Sequence, residues 1–170
     1  DITLGPKLEE FENLAAQIAG RRHAVAVSSG TAGLHCAMSA AGVAPGDEVI
    51  TTPFSFVASA NAALFVGAKP VFVDIDPITW TMDPDALEAA ITPRTKAVIP
   101  VHLYGHPCDM DPIMALAQRH NLKVIEDCAE SLGAEYRGRK VGLIGDVGCF
   151  SFFANKVITT GEGGMVATAS

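Results

Sequence analysis

The sequence has few of the features that mark nucleic-acid-binding or membrane proteins. Lys and Arg make up only 12 of its 170 residues, against 19 Asp and Glu, and the net charge is −7. A nucleic-acid surface needs clustered basic side chains, so this composition argues against one. No apolar run is long enough to cross a bilayer, and Asp1–Pro6 lacks the basic and apolar regions of a signal peptide. We expect neither nucleic acid nor a membrane as a partner.

Cysteine is also scarce, which bears on the redox environment. The four cysteines, Cys36, Cys108, Cys128 and Cys149, include no C-x-x-C pair, and three of them stand among apolar residues. Reduced thiols in a cytoplasmic protein are the simplest interpretation.

Apolar residues, in contrast, are abundant. They make up 49% of the chain, whereas charged residues make up 18%. This balance is typical of a compact domain rather than a disordered chain. A length of 170 residues allows one domain with a sizeable core, and no repeat or linker interrupts it.

Short apolar runs alternate with helical patterns along the chain. The runs are mostly continuous Val, Ile, Ala and Phe segments, which favours strands covered on both faces. Such alternation predicts an α/β fold, in which a mostly parallel seven-stranded sheet carries helices on both faces. The predicted strands are Ala24–Val27, Glu48–Thr51, Val71–Val73, Ala97–Val101, Lys123–Glu126, Gly148–Phe152 and Gly164–Ala167.

The first predicted helix is amphipathic. It covers Glu9–Ala19 and places Phe11, Leu14, Ala15 and Ile18 on one face.

Other local signals mark helix ends and a turn. Asp83-Pro84 and Asp111-Pro112 each predict a helix start, with an acid at the N-cap and proline at the first helical position. Asn121 predicts the end of the second of these helices. The glycine-rich, charged stretch Tyr136–Gly145 predicts a hairpin or a long loop.

The segment after the first strand is a candidate phosphate site. In sheets of this kind, ligands bind outside the carboxyl ends of the strands. Ser28–Gly33 consists of small residues at a helix start, where exposed N–H groups and the helix dipole favour an anion, and Thr31 adds a hydroxyl donor. The same residues also suit an ordinary Ser/Thr-capped helix. The segment is neither a Walker loop nor G-x-G-x-x-G, so nucleotide binding is not supported.

Two further signals suit a planar heterocycle. Asp127 follows a strand and is interpreted either as a helix cap or as a ligand partner. An ionised Asp beside a basic ring nitrogen would keep that nitrogen protonated and make the ring a better electron sink. Phe54 and Phe56 follow another strand, where they are core residues unless one of them stacks on a cofactor.

Lys156 is the candidate nucleophile. It follows the aromatic strand that contains Phe150 and Phe152 and precedes the glycine-rich turn Gly161–Gly164. Partial burial there would make it a competent amine nucleophile, although a lysine snorkelling to solvent has the same pattern. Ser151 lies five residues earlier, where its hydroxyl could meet a phosphate. A phosphate cradle, an acid and an amine together are what pyridoxal phosphate (PLP) needs.

A metal site is not predicted. His102, His106 and Cys108 are close enough in sequence to suggest one. Tyr104-Gly105 and Pro107 make this segment a loop, however, so the helical spacing of a zinc motif is not available.

A series of short motifs covers essentially the whole chain in order. It consists of Thr3–Lys7, Ser29–Leu34, Gly46–Ile50, Thr52–Ala58, Pro100–Gly105, Ile125–Ser131, Ser151–Lys156 and Thr159–Gly164. The series resembles the DegT/DnrJ/EryC1/StrS sugar aminotransferases, which have PLP fold type I.

This resemblance implies a role for each matching residue. Lys156 would form a Schiff base with PLP and carry protons, and Asp127 would pair with the pyridinium nitrogen. The phosphate would be held by Gly30, Thr31 and Ser151.

The resemblance also places groups around the ring of the cofactor. Phe56 would stack on the ring, a role not expected for Phe54. Glu130 would lie near the phenolic oxygen, where Gln or His is also common in the family. The family includes sugar dehydratases with histidine in place of the lysine, and Lys156 argues against that branch.

The implied reaction moves an amino group from glutamate to a keto-sugar on a nucleotide carrier, for lipopolysaccharide, glycan or antibiotic pathways. Family members are homodimers more than twice as long. Residues 1–170 are therefore expected to be a fragment, the PLP-binding large domain without the C-terminal small domain. A non-catalytic PLP- or sugar-binding regulatory protein on the same fold, and a PLP-dependent sugar dehydratase, remain as alternatives.

Overall fold

The structure is a computed structural model that describes residues 5–169. Thr3 and Leu4 of the first motif lie outside the described residues. The helices are α1 (Pro6–Ala19), α2 (Gly30–Ala40), α3 (Ala58–Phe65), α4 (Pro84–Ala90) and α5 (Met110–His120). The strands are β1 (His23–Val27), β2 (Glu48–Thr51), β3 (Lys69–Phe72), β4 (Thr95–Val98), β5 (Lys123–Asp127), β6 (Glu135–Tyr136), β7 (Arg139–Lys140), β8 (Val147–Ser151) and β9 (Gly164–Thr168).

Seven of these strands form one sheet in the order β1-β9-β8-β5-β4-β2-β3. The pairs from β8 to β3 are parallel, whereas β9 is antiparallel to both β1 and β8. The predicted mostly parallel seven-stranded sheet is confirmed, with strand ends shifted by a few residues. One such shift is at β4, which ends at Val98 because Pro100 has no N–H to donate.

Helices cover both faces of the sheet, as alternate strand residues show. Val49 and Ile125 belong to a core with α2 and α3, whereas their neighbours Ile50 and Val124 belong to a core with α4 and α5. A third core lies between α1, β8 and β9. Apolar side chains on both faces explain why the strands read as continuous apolar runs.

Two predicted helix signals are confirmed. The Asp83 carboxylate accepts the N–H of Asp85 at the start of α4, and Pro84 occupies the first turn. Asn121 has a left-handed conformation at the end of α5, where its N–H bonds back into the last turn.

The predicted start of α5 is wrong by two residues. The N-cap is Asp109, and Asp111 and Pro112 lie inside the first turn. Proline is tolerated there because the first-turn N–H groups have no intrahelical partner in any case. Tyr136 donates its hydroxyl to Asp109, which attaches the β6–β7 hairpin to the helix. That hairpin lies in the stretch predicted to be a hairpin or long loop.

The apolar face of α1 is only partly covered. Phe11 and Ala15 pack on the third core, but Leu14 is 53% exposed and Ile18 is 64% exposed. The predicted apolar face is therefore buried on the Phe11 and Ala15 side and exposed at Leu14 and Ile18.

All four cysteines are free, and three of them are buried. Among the helices of residues 5–169, none is both long and apolar enough for a membrane span.

Candidate functional site

A cavity of about 270 Å³ opens at the carboxyl ends of the strands. Residues that follow β1, β2, β4, β5 and β8 line it, which is the edge where α/β sheets bind ligands. Every site residue predicted from the sequence lies in its wall. These residues are Gly30, Thr31, Phe56, Asp127, Glu130, Ser151 and Lys156.

The start of α2 forms one wall of the cavity. The Ser29 hydroxyl accepts the N–H of Ala32 at 3.1 Å, and the N–H of Gly33 makes a helical bond to the Ser29 carbonyl at 3.0 Å. The N–H groups of Gly30 and Thr31 come before that bond and lie at the positive end of the helix dipole. The segment is therefore a Ser-capped helix start, and its first N–H groups are also placed to suit an anion.

Two close contacts hold this turn in place. A Cβ built on Gly30 would lie 2.8 Å from the Ser151 Cβ, so only glycine lets α2 approach the end of β8 so closely. A Cβ on Gly164 would lie 2.5 Å from the carbonyl carbon of Ser29. The Ser151 side chain is thereby held beside the N-terminus of α2, and a phosphate fits this arrangement of donors.

Asp127 is the last residue of β5, and it is 5% exposed. Its carboxylate accepts the Ser59 hydroxyl at 2.7 Å and the N–H of Ala129 at 3.1 Å. Burial raises the pKa of Asp127 above its ordinary value, although these two hydrogen bonds and the charge of Lys156 act in the opposite direction. A protonated ring nitrogen in the cavity would supply the countercharge that favours the ionised carboxylate.

Lys156 and Glu130 form an ion pair in the wall of the same cavity. Lys156 Nζ lies 3.4 Å from Glu130 Oε1, and the two side chains are 14% and 28% exposed. The other carboxylate oxygen of Glu130 accepts the N–H of Tyr104 at 3.1 Å. The amine is therefore sheltered yet reachable from the cavity, and Glu130 fixes where it points.

The two phenylalanines after β2 have separate environments. Phe56 lines the cavity and is 71% exposed, so its ring is free to contact a ligand. Phe54 instead packs edge-on against Trp80, with ring centroids 5.9 Å apart. This separation agrees with the expectation that Phe56, and not Phe54, faces a cofactor.

The histidine loop is organised differently from a metal site. His106 is exposed, whereas His102 is buried with Glu126 and Cys128, and their ligand atoms lie within 4.8 Å of one another. Both His102 nitrogens are hydrogen-bonded, Nδ1 to the N–H of Cys108 and Nε2 to Glu126. Burial raises the pKa of Cys128 to about 11, which keeps the thiol protonated. Such a set is a poor match for a cation.

Two contacts in this region were missed by the sequence reasoning. Ser59, which supports Asp127, is the one hydroxyl on the otherwise apolar buried side of α3, beside Ala62 and Ala63. That hydroxyl was an available signal. The buried pair of His102 and Glu126 left no comparable signal, because it joins a loop to a strand.

The fold and the cavity together indicate one class of domain. A helix start that suits an anion, a buried carboxylate and a sheltered amine, all at one edge of a mostly parallel sheet, are the parts expected of a domain that holds a phosphorylated heterocycle. The model of the DegT/DnrJ/EryC1/StrS aminotransferase family matches residues 1–170, and the chain belongs to that family.

Individual relatives agree with this assignment. GDP-perosamine synthase from Caulobacter vibrioides is 56% identical over 166 residues, which are 98% of this chain and 45% of the relative. The chain thus spans about half the length of the curated relatives it matches.

Solved structures agree with the fold. An aminotransferase from Psychrobacter cryohalolentis superposes with a TM-score of 0.96 at 47% identity, over 98% of this chain and 42% of that one. NtdA from Bacillus subtilis with bound cofactor PMP superposes with a TM-score of 0.94 at 42% identity, over 99% of this chain and 38% of that one. The fold is therefore that of the fold type I PLP aminotransferases.

Proposed function

We propose that the protein carrying this chain is a PLP-dependent aminotransferase that moves an amino group from glutamate to a nucleotide-linked keto-sugar through a Schiff base on Lys156. The observation that carries the proposal is that Lys156, Asp127 and the N-terminus of α2 face one cavity. Family membership supports the reaction class. The name of the Caulobacter relative supports a nucleotide-sugar substrate, and the PMP bound to NtdA is the amino form of PLP.

Binding of the cofactor is assigned to the groups already described. The N–H groups at Gly30 and Thr31, with the hydroxyls of Thr31 and Ser151, would hold the phosphate. Phe56 would contact the ring. Asp127 would keep the ring nitrogen protonated, and the hydrogen bond from Ser59 would keep the carboxylate in place for this.

The reaction depends on Lys156 and the groups that orient it. PLP supplies an aldehyde that takes up an amine and a protonated ring that withdraws electrons from the neighbouring carbon. Lys156 would supply the amine nucleophile, and its Nζ would hold and release the protons that the transfer requires. Glu130 lies 3.4 Å from this amine and, anchored by the N–H of Tyr104, would keep it at the cavity wall.

A second copy of the chain is part of the proposal. Among the described residues that line the cavity, Lys156 is the one cation, yet a bound phosphate would meet two carboxylates there. Phe56 lines the cavity and is 71% exposed, and Val57 and Tyr104, each next in sequence to a lining residue, are 55% and 76% exposed. A homodimer would cover these side chains and bring further polar groups to the cavity. Light scattering on the complete protein should give the mass of a dimer, and a monomer that is fully active would contradict this.

Absorbance of the complete protein tests the central claim. The purified protein, or the protein after addition of PLP, should absorb in the visible region, and Lys156→Ala should abolish this band. Lys140→Ala is the control, because Lys140 pairs with Glu135 on the surface hairpin, away from the cavity. A wild-type protein that gains no band with PLP would overturn the proposal. If the band forms but glutamate does not convert the cofactor to its pyridoxamine form, the non-catalytic binding protein is favoured instead.

A further inference from the structure

A buried pair lies behind Asp127, on the other face of the sheet from the cavity. Glu126 and His102 are both 0% exposed, and His102 Nε2 lies 3.0 Å from Glu126 Oε2. Successive residues of a strand point to opposite faces, so Glu126 points away from the cavity that Asp127 faces. The proposed reaction uses neither member of the pair, although burying such groups is costly.

His102 holds two consecutive residues of β5. Its backbone N–H bonds to the Asp127 carbonyl at 3.1 Å, while its ring bonds to the Glu126 carboxylate. Its other ring nitrogen accepts the N–H of Cys108 at 3.0 Å, so the proton lies on Nε2 and Nε2–H donates to Glu126. One side chain thus determines how the end of the strand that carries Asp127 sits against the neighbouring loop.

Glu126 attaches the same strand end to a second loop, at residues 142–145. Its carboxylate accepts the N–H groups of Gly142, Ile144 and Gly145 at 2.6–2.7 Å, besides the bond from His102. These hydrogen bonds hold the pKa of Glu126 below its ordinary value, although burial alone would raise it. Arg21 donates to the Gly145 carbonyl at 2.7 Å, which ties the same loop to the α1–β1 junction. The strand end is therefore held between two loops through one buried carboxylate.

We propose that His102 and Glu126 are positioning residues that hold the Asp127 carboxylate in register with the ring nitrogen of the cofactor. The inference rests on the proposed function for the contact between Asp127 and that nitrogen. A charge-assisted hydrogen bond weakens steeply with small displacements, so loosening the strand end reduces this contact before it unfolds the domain.

Two substitutions of His102 separate its two ring bonds. His102→Asn leaves an amide oxygen where Nδ1 accepts the N–H of Cys108, but it removes the donor to Glu126. His102→Gln does the reverse, because its amide nitrogen takes the place of Nε2. We therefore expect His102→Gln to keep the positioning of Asp127 that His102→Asn loses.

The readout compares two ligands in the complete protein. PLP and deaza-PLP, in which carbon replaces the ring nitrogen, differ only in the atom that Asp127 would contact. The wild-type protein should bind PLP more tightly than deaza-PLP. In His102→Asn this preference should fall about tenfold, the size expected for a weakened hydrogen bond to a charged group. In His102→Gln it should stay within about threefold of the wild-type ratio.

Glu126→Gln and Glu48→Gln form a matched pair of controls. Glu48 is also a buried glutamate, held by Thr92 and Arg94. It is the first residue of β2, whereas the cavity lies at the carboxyl ends of the strands. Both variants should lower the free energy of unfolding, whereas only Glu126→Gln should reduce the preference for PLP. If Glu126→Gln does not fold, the two His102 variants decide the question.

The outcomes separate the inference from its premise. A wild-type protein without any preference for PLP over deaza-PLP refutes the contact on which the inference rests. A wild-type preference that His102→Asn retains in full overturns the positioning role and leaves the proposed function intact. A preference lost equally in Glu48→Gln also overturns it, since general destabilisation would then explain the effect.

Discussion

Replacing Gly164 with alanine should displace the Ser29–Gly30 turn of the proposed phosphate site. Gly164 begins β9 and lies against the Ser29–Gly30 turn rather than in the cavity wall. A Cβ there would lie 2.5 Å from the Ser29 carbonyl carbon and 2.7 Å from the Gly30 nitrogen. Both neighbours are backbone atoms, so no side chain can rotate away to make room.

The size of the effect follows from these contacts. Ordinary van der Waals contact begins at 3.4 Å, so the turn has to retreat by roughly 1 Å. Overpacking of this kind lowers the free energy of unfolding by about 1–3 kcal/mol. The same movement weakens a charge-assisted hydrogen bond from the turn to the phosphate. Such a bond contributes about 1.5–3 kcal/mol, so its loss should raise the Kd for PLP roughly 10- to 100-fold. Chemical denaturation and PLP titration measure the two effects separately.

Gly5→Ala is the control for this experiment. Gly5 precedes α1 with φ −97°, and a Cβ there meets nothing within 4 Å. That variant should match the wild type in both measurements. If Gly164→Ala loses stability as expected but binds PLP with the wild-type Kd, the α2 turn is not the phosphate site and the reasoning fails.

Two further predictions concern the buried carboxylate. Because burial raises the pKa of Asp127, its ionised form costs stability in the cofactor-free protein as pH rises through that pKa. Asp127→Asn should therefore raise the free energy of unfolding without PLP by about 0.5–2 kcal/mol at neutral pH and by less in acid, while it weakens PLP binding. Denaturation over a pH series measures this, and a variant less stable than the wild type at neutral pH would contradict it. Ser59→Ala removes a hydrogen bond that lowers the pKa of Asp127, so PLP affinity should fall roughly tenfold at neutral pH. As pH is lowered, the affinity of this variant should begin to decline at a higher pH than that of the wild type. A pH profile of the Kd identical to that of the wild type would refute this.

The cavity could be predicted from the sequence because its parts are local. A strand followed by small residues and a helix start at Ser29, an acid at the end of β5 and a lysine after β8 are each visible in a few consecutive residues. Parallel strands then bring their carboxyl ends to one edge without any further information.

What could not be predicted depends on partners distant in sequence. Gly164–Ala167 is predicted to be a strand, but its apolar pattern does not indicate that β9 runs antiparallel between β1 and β8. The hydroxyl of Ser59 and the carboxylate of Asp127 are 68 residues apart, and His102 is 24 residues from Glu126. Periodicity also could not tell that Leu14 and Ile18 stay exposed, since a hydrophobic pattern shows a face but not what covers it.

The position of β9 also has a consequence for folding. β1 pairs with β9, and Ala24 to Val27 find their partners only at Gly164 to Ala167. During synthesis at about 5–20 residues per second, β1 and the turn that follows it would wait on the order of 10 s for the strand that completes them. Contacts of such long sequence separation form slowly, so the phosphate site is among the last parts of this sheet to assemble. Capture of PLP would then occur only after the rest of the sheet is in place.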